Sequence, residues 1–217
     1  MPRKLVVYTA LQIEARAIAS RLGLSRASRY EFIGNSDADW SISVRTIGLR
    51  AGKMPQTDDA ALVILAGLAG ALDPSLRCGD VVIDQKSQLT EAMKKLPFRI
   101  GRIYTSDRVI TTPAEKSRLF NSTGALAVEM EAGIVRPAIH VRSISDVADE
   151  SIDPAILRLI DEMGQPHIGK LLMTIIRRPM LVRDLKRLGS QSQVALDALA
   201  RAVSMIVEAL TESKPDL

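Results

Sequence analysis

Short apolar runs alternate with segments of helical period along much of this 217-residue chain. Residues 62–65 (LVIL) form an unbroken apolar run, which is typical of a strand covered on both faces. Residues 11–22 repeat apolar side chains at helical spacing, and Thr111–Thr112 before Pro113 indicates a second helix that runs to residue 120. Other strands are predicted at residues 5–8, 30–34, 40–47, 81–83, 126–129 and 139–144, with one more within 101–110. This alternation predicts one α/β domain over residues 1–217, with a central mixed, mostly parallel β-sheet flanked by helices.

The last third of the chain is predicted to be helical. Residues 153–163 begin with Asp-Pro, a helix start signal. Residues 166–212 are expected to form a helical C-terminal extension of the domain, interrupted at Pro179 and Gly189. The final helix is predicted over residues 194–210.

Composition excludes several classes of protein. Aromatic residues make up only 3% of the chain and the net charge is +4, so neither base-stacking platforms nor a strong basic patch indicates nucleic-acid binding. The single cysteine, Cys78, cannot form an internal disulfide and is expected to be a small core residue in a reducing compartment. No run approaches the ~20 apolar residues of a membrane span. A cytoplasmic protein is expected.

The stretch VILAGLAGALDPSLRCGDVVI places glycines directly after a predicted buried strand. Glycine at such a point permits close approach of a ligand, although a tight turn would need it equally. Neither the dinucleotide fingerprint nor the Gly-Lys-Ser/Thr ending of a phosphate-binding loop is present. A nicotinamide dehydrogenase or an ATPase is therefore disfavoured.

Two carboxylates, Glu131 and Asp146, follow two predicted strands, at the sheet edge where α/β proteins bind ligands. Glu131 could accept hydrogen bonds from a sugar diol, or could simply be an acidic residue in the first turn of a helix. Asp146 could be a general acid or a helix N-cap. Glu14 could position a water molecule or lie in solvent. Neither histidine has a partner at ligand spacing, so no metal site is predicted.

Four segments in order resemble the nucleoside phosphorylase and nucleosidase superfamily: TALQIEA, AGLAGALDPSLRCGDVVI, SDRVITTPAEKSRL leading into AVEMEAG, and VRSISDVADE. The N-terminal TALQIEARAIA, GALAVEMEAG and the basic RRPMLVRDLKRL are most like the hopanoid-associated phosphorylase branch. The resemblance implies a nucleoside phosphorylase-like fold and cleavage of the N-glycosidic bond of a purine nucleoside. It also implies a homodimer and no cofactor, with inorganic phosphate as a possible co-substrate.

The resemblance assigns roles to individual positions. Asp146 matches the acid that protonates the purine, and Glu131 matches the residue that holds the ribose hydroxyls. Glu14 matches the glutamate that orients water in the hydrolases of this group. Further matched positions are Met130 against the sugar, Val109 and Ile110 along the base, and Gly67 and Leu68 on the side of the nucleophile.

The resemblance does not decide which nucleophile attacks the sugar or which group the nucleoside carries at its 5′ position. Leu68 replaces a hydroxyl residue that many relatives use at the nucleophile, and Arg16 and Arg50 are candidate cations for phosphate. The main expectation is phosphorolytic release of adenine from adenosylhopane, a lipid-linked substrate. The basic segment 170–188 could rest on the inner membrane surface, or could be helices packed on the sheet with arginines extending outward.

Two alternatives to phosphorolysis are a methylthioadenosine/S-adenosylhomocysteine-type hydrolase and a protein that binds a nucleoside without cleaving it. The second is motivated by the short link between Glu131 and Asp146, which leaves room for little more than one helical turn before Pro137.

Overall fold

The computed structural model describes residues 3–35, 40–52, 62–133, 135, 137–153 and 181–212. Its elements, in chain order, are β1 (Arg3–Thr9), α1 (Gln12–Arg21), β2 (Ser25–Arg26), β3 (Glu31–Asn35), β4 (Trp40–Thr46), a 3-10 turn (Leu49–Ala51), β5 (Leu62–Ala71), β6 (Val81–Asp84), α2 (Glu91–Lys94), β7 (Arg99–Gly101), β8 (Ile103–Thr105), α3 (Pro113–Thr123), β9 (Ala127–Glu129), β10 (Ile139–Asp146) and α4 (Leu181–Glu212). The α/β fold class predicted from the sequence is confirmed.

Four mutually parallel strands form the centre of the sheet, in the order β4, β1, β5, β10. On one side β3 and β2 extend the sheet with antiparallel pairing, and on the other β6 pairs antiparallel with β10 and parallel with β7. The short β9 joins the end of β5 antiparallel and pairs with β8. The carboxyl ends of β1, β5 and β10 therefore meet at one edge, where a ligand site is expected.

Helices α1 and α4 pack together against the central strands. The buried face of α4 repeats at helical spacing through Leu199, Val203 and Ile206, and these side chains share one core with Ile64 and Ile139 of the sheet. Val6, Tyr8 and Leu65 lie in a second core cluster, so β1 and β5 are covered on both faces, which explains why these two strands read as continuous apolar runs. Within the described residues, no helix combines the length and the apolar character that crossing a membrane would require.

Strand β5 corrects the expectation that the strand ends at residue 65 and that the glycines follow it. The strand continues to Ala71, so Gly67 and Leu68 lie inside it and pair with β10. Neither Gly67 nor Gly70 has a positive φ. The glycines are needed because side chains of β10 lie across them, as shown below.

Two further expectations are corrected at the C-terminal helix. Helix α4 begins at Leu181 and passes through Gly189 without interruption. A glycine costs only about 1 kcal/mol in a helix, which the packing of the following turns offsets. Cys78 is partly exposed rather than in the core, and its thiol donates to the carbonyl oxygen of Gln191 on α4 at 3.1 Å. The predicted helix over 153–163 and the break at Pro179 lie outside the described residues, apart from Asp153.

The link between β9 and β10 contains one hydrogen-bonded turn. The amide of Val135 donates to the carbonyl oxygen of Glu131 at 3.1 Å, and Ala138 then donates to Val63 of β5 at 2.9 Å. One turn is therefore enough to return the chain to the sheet. The short link expected from the sequence still delivers Glu131 and Asp146 to the same edge.

Candidate active site

A cavity lies at the carboxyl edge of the central strands, and two acidic residues predicted from the sequence line it together. Glu131 follows β9, and Asp146 is the last residue of β10. Other predicted residues in the cavity wall are Glu14, Leu68, Val109, Ile110 and Met130. Gly67, Arg16 and Arg50 do not line it. Because the wall combines apolar side chains with a few converging carboxylates, it has the general character of a small-molecule site.

Glu14 is a buried carboxylate held by two backbone amides. It lies in the first turn of α1, where Oε2 accepts the amide hydrogen of Leu11 at 2.8 Å, and Oε1 accepts that of Leu68 at 2.8 Å. Burial raises the pKa of Glu14 to about 7, although these hydrogen bonds and the charge of Arg142 act in the opposite direction. A carboxylate with a pKa near neutrality is suited to take a proton from a bound water molecule.

Arg142 is a fully buried guanidinium that joins two acidic residues in the cavity wall. Its Nη2 donates to Oε2 of Glu129 and, at 3.2 Å, to Oε2 of Glu131. Its Nε donates to Nε2 of His140 at 2.9 Å, so the imidazole must be neutral. Burial, followed by the charge of Arg142, lowers the pKa of His140 to about 4, in agreement with this geometry. The hydrogen bonds of Arg142 therefore fix the position of the Glu131 carboxylate.

Glu129 is the charged partner that compensates Arg142. Burial alone would raise its pKa, but the charge of Arg142 and the hydrogen bond from Thr105, 2.5 Å long, hold the pKa of Glu129 below its usual value. The backbone amide of Glu131 also donates to Oε2 of Glu129 at 2.8 Å. Glu129 thus positions Glu131 in two ways. It accepts a hydrogen bond from the main chain of Glu131, and it shares Arg142 with the Glu131 carboxylate.

The two glycines of β5 make room for these side chains. A Cβ at Gly67 would overlap the guanidinium of Arg142 and lie 3.2 Å from Oε1 of Glu14. A Cβ at Gly70 would stand 3.0 Å from Oδ2 of Asp146. The glycines therefore serve close packing between neighbouring strands, rather than a turn.

Asp146 is paired with a buried cation from α3. The ammonium of Lys116 lies 2.6 Å from Oδ2 of Asp146, and the Ser145 hydroxyl lies 3.2 Å from Oδ1. Helix α3 begins as predicted, with the Thr112 side chain accepting the amide hydrogen of Glu115 and Pro113 in the first turn. Because the helix begins at Pro113, Lys116 lies on the side of the helix that faces the protein interior.

The two arginines predicted as candidate cations for phosphate, Arg16 and Arg50, lie in different positions. Arg16 is exposed on α1 and outside the cavity wall. Arg50 is exposed, and its backbone amide donates to Oε1 of Glu131 at 3.3 Å, while its guanidinium donates to the carbonyl oxygen of Asp107. Arg50 therefore contacts the site through its main chain.

Sequence reasoning missed Arg142, Lys116 and Glu129, and it gave His140 no role. The available signal was a basic pair, His140 and Arg142, spaced two apart within an apolar strand, which puts both on one face. Nothing comparable marks Lys116, because a lysine in a polar helix usually lies in solvent. Among the described residues, no group of His, Cys, Asp or Glu side chains could hold a metal ion.

The fold is similar to that of solved nucleosidases. The 5′-methylthioadenosine/S-adenosylhomocysteine nucleosidase of Neisseria meningitidis in complex with methylthio-immucillin-A has a TM-score of 0.66 and 18% identity, covering 95% of this chain and 99% of that chain. Futalosine hydrolase of Helicobacter pylori gives 0.64 and 17%, covering 96% and 98%. The 5′-methylthioadenosine/S-adenosylhomocysteine nucleosidase of Helicobacter pylori gives 0.63 and 17%, covering 95% and 98%. No protein-family model and no curated protein sequence matches the chain. At these identities the likeness establishes the fold.

Proposed function

We propose that this protein cleaves the N-glycosidic bond of a purine nucleoside. The observation that carries the proposal is the convergence of Glu131 and Asp146 on one cavity, despite the short link between them. Cleavage through an oxocarbenium-like sugar needs a held sugar and a protonated leaving group. Glu131, fixed by Arg142, would accept hydrogen bonds from the ribose hydroxyls, and Asp146 would donate a proton to the purine.

The apolar part of the cavity wall suits the remainder of such a substrate. Val109 and Ile110 would line the base, and Met130, which also lines the cavity, would pack against the sugar. The names of the similar structures, nucleosidases of 5′-methylthioadenosine and a futalosine hydrolase, support the same class of substrate.

The surroundings of Glu14 favour water as the nucleophile over phosphate. A phosphate ion beside Leu68 would face the Glu14 carboxylate. Of the nearby arginines, Arg16 lies outside the cavity wall, Arg108 is paired with Glu115, and Nη2 of Arg142 is shared by two carboxylates. A water molecule needs only a base, which Glu14 supplies. In this step the water oxygen bonds to C1′, its proton passes to Glu14, and the electron pair of the C1′–N9 bond leaves with the purine.

Phosphorolysis of adenosylhopane is the finer expectation from the sequence, and it remains a second candidate. It is motivated by the ordered sequence motifs and by the basic segment 170–188, of which residues 170–180 lie outside the described part of the chain. A lipid-linked 5′ substituent and contact with a membrane surface both depend on that segment. Comparing substrates with and without a lipid chain tests the idea directly.

An adenine-release assay tests the proposed function. The purified protein is given adenosine, 5′-methylthioadenosine or adenosylhopane, each with and without phosphate. Phosphate-independent release is expected, whereas release only with phosphate would replace the hydrolytic mechanism by the phosphorolytic one. Asp146→Asn should lower turnover by about 10²–10⁴-fold, and Asp149→Asn, which changes an exposed carboxylate, is the matched control. No release from any purine nucleoside would rule out the catalytic proposal and leave nucleoside binding.

A further inference from the structure

The Lys116 side chain is fully buried, and its ammonium group contacts the carboxylate of Asp146. Its three N–H groups have three acceptors: Oδ2 of Asp146 at 2.6 Å, the carbonyl oxygen of Val147 at 2.6 Å and that of Glu150 at 3.1 Å. Burying a lysine charge is costly unless it is paired and fully hydrogen-bonded. Here every donor is used, so the ammonium has a built site within the protein.

This arrangement makes the two oxygens of Asp146 different. Oδ2 is held by Lys116 on the side of α3, and the partner of Oδ1 is the Ser145 hydroxyl, 3.2 Å away. Since Asp146 and Ser145 both line the cavity, Oδ1 is the oxygen left for a ligand. The second and third hydrogen bonds of Lys116 also hold the loop that follows β10.

The far side of that loop is tied to α4. The Glu150 carboxylate accepts from Nε2 of Gln191, with both oxygens 3.0 Å away, and Arg187 lies 3.6 Å from it. Lys116 therefore binds the main chain of the loop at Val147 and Glu150, while the side chain of Glu150 is bound to α4. Because the loop is held at both places, the Lys116 ammonium has a fixed position from which it can orient Asp146.

We propose that Lys116 is a positioning residue for the leaving-group proton: it orients Asp146 through Oδ2 and stabilises the carboxylate that forms when the proton leaves Oδ1. This inference rests on the proposed cleavage of a purine nucleoside. The balance of the step is simple. As the water oxygen bonds to C1′ and its proton passes to Glu14, the C1′–N9 bond breaks and its electron pair goes to the purine. The proton on Oδ1 of Asp146 moves to the purine, and the carboxylate so formed is paired with Lys116.

A double-substitution experiment tests the coupling between the two residues. Lys116→Met should lower kcat/KM for the purine nucleoside by about 100-fold, within the range of general acid catalysis. In a protein that already carries Asp146→Asn, the same substitution should change kcat/KM by less than about threefold, because a residue acting through another adds nothing once that residue is removed. Lys116→Gln, which keeps hydrogen-bond donors without the charge, serves if Lys116→Met does not fold. Arg118→Met, which removes an exposed cation from the same helix, is the control.

A second substrate separates positioning from a merely structural effect. The 4-nitrophenyl β-riboside releases a phenolate that needs no proton, so Lys116→Met should leave its hydrolysis within about threefold of the unsubstituted protein while purine release falls about 100-fold. Equal losses on both substrates, or an equal loss in the Asp146→Asn background, would overturn the role of Lys116 alone. Failure of the unsubstituted protein to release any purine would overturn the proposed function and this inference together.

Discussion

The guanidinium of Arg142 occupies the space that a side chain at Gly67 would need. The two residues face each other across parallel strands β5 and β10. Arg142 cannot move aside cheaply, since it is fully buried and holds Glu129, Glu131 and His140. The absence of one Cβ in β5 therefore determines where the proposed ribose-binding carboxylate stands.

Gly67→Ala should disturb the site more than an ordinary glycine substitution in a strand. The added methyl group would displace Arg142 and cost about 1–3 kcal/mol of the free energy of unfolding, and KM for the nucleoside should rise because Glu131 loses its fixed partner. Urea denaturation and steady-state kinetics measure the two effects. Gly189→Ala is the matched control, because no atom of the described residues lies within 4 Å of a Cβ added at that position of α4, and the change should stabilise by about 1 kcal/mol. A Gly67→Ala protein with unchanged stability and KM would contradict the packing argument.

Arg142→Lys should show that the shape of the guanidinium matters beyond its charge. An ammonium cannot span Glu129, Glu131 and His140 at once, since the planar fork of arginine is lost. Leaving a buried carboxylate without its partner costs about 3–5 kcal/mol at the upper limit, and part of that loss should appear here as a lower melting temperature.

The kinetic counterpart of Arg142→Lys is a raised KM with a smaller change in kcat, because Glu131 holds the sugar rather than the reacting proton. Arg118→Lys, at an exposed position of α3, provides the comparison and should behave like the unsubstituted protein. A normal melting temperature and KM in Arg142→Lys would mean that charge alone is sufficient.

The sequence predicted the features that depend on local periodicity and on the residue types at the ends of strands. Strand and helix periods predicted the α/β fold, and the Met-Glu and Ser-Asp endings predicted two carboxylates at one site. The rule that parallel strands end together accounts for Asp146 at the end of β10, whereas Glu131 is brought there by the short antiparallel strand β9. Lys116 could not be found in this way, since its burial depends on how α3 packs against the loop after β10. The glycines of β5 were recognised but placed after the strand rather than within it. They are needed because Arg142 and Asp146 approach closely from β10, a strand distant in the sequence.

Glu14→Gln distinguishes the two nucleophiles. If water attacks, loss of the base should lower kcat by about 10²–10⁴-fold, with little change in KM. If phosphate attacks, removing a negative charge beside the nucleophile should leave kcat unchanged or raise it. Adenine release measured with and without phosphate separates these outcomes. Glu91→Gln, at an exposed position of α2, is the control for carboxylate removal.

Glu14 and His140 should give opposite pH dependences of stability. The pKa of Glu14 is raised from 4.5 to about 7 in the folded protein, so its contribution to stability is present below pH 4.5 and lost as the pH rises through 7. The pKa of His140 is lowered from 6.5 to about 4, so its contribution is present above pH 6.5 and lost as the pH falls through 4. Each effect is on the order of 3 kcal/mol, and in the unsubstituted protein they largely cancel between pH 4.5 and 6.5.

Single substitutions should reveal each slope. In Glu14→Gln the free energy of unfolding should rise from pH 4.5 to 6.5, since only the histidine effect remains. In His140→Gln, which keeps an acceptor for Nε of Arg142, it should fall over the same interval. Urea denaturation at several pH values measures both, and the double variant should again be flat. Slopes of the same sign in the two single variants would show that at least one of these groups does not ionise in the surroundings described here.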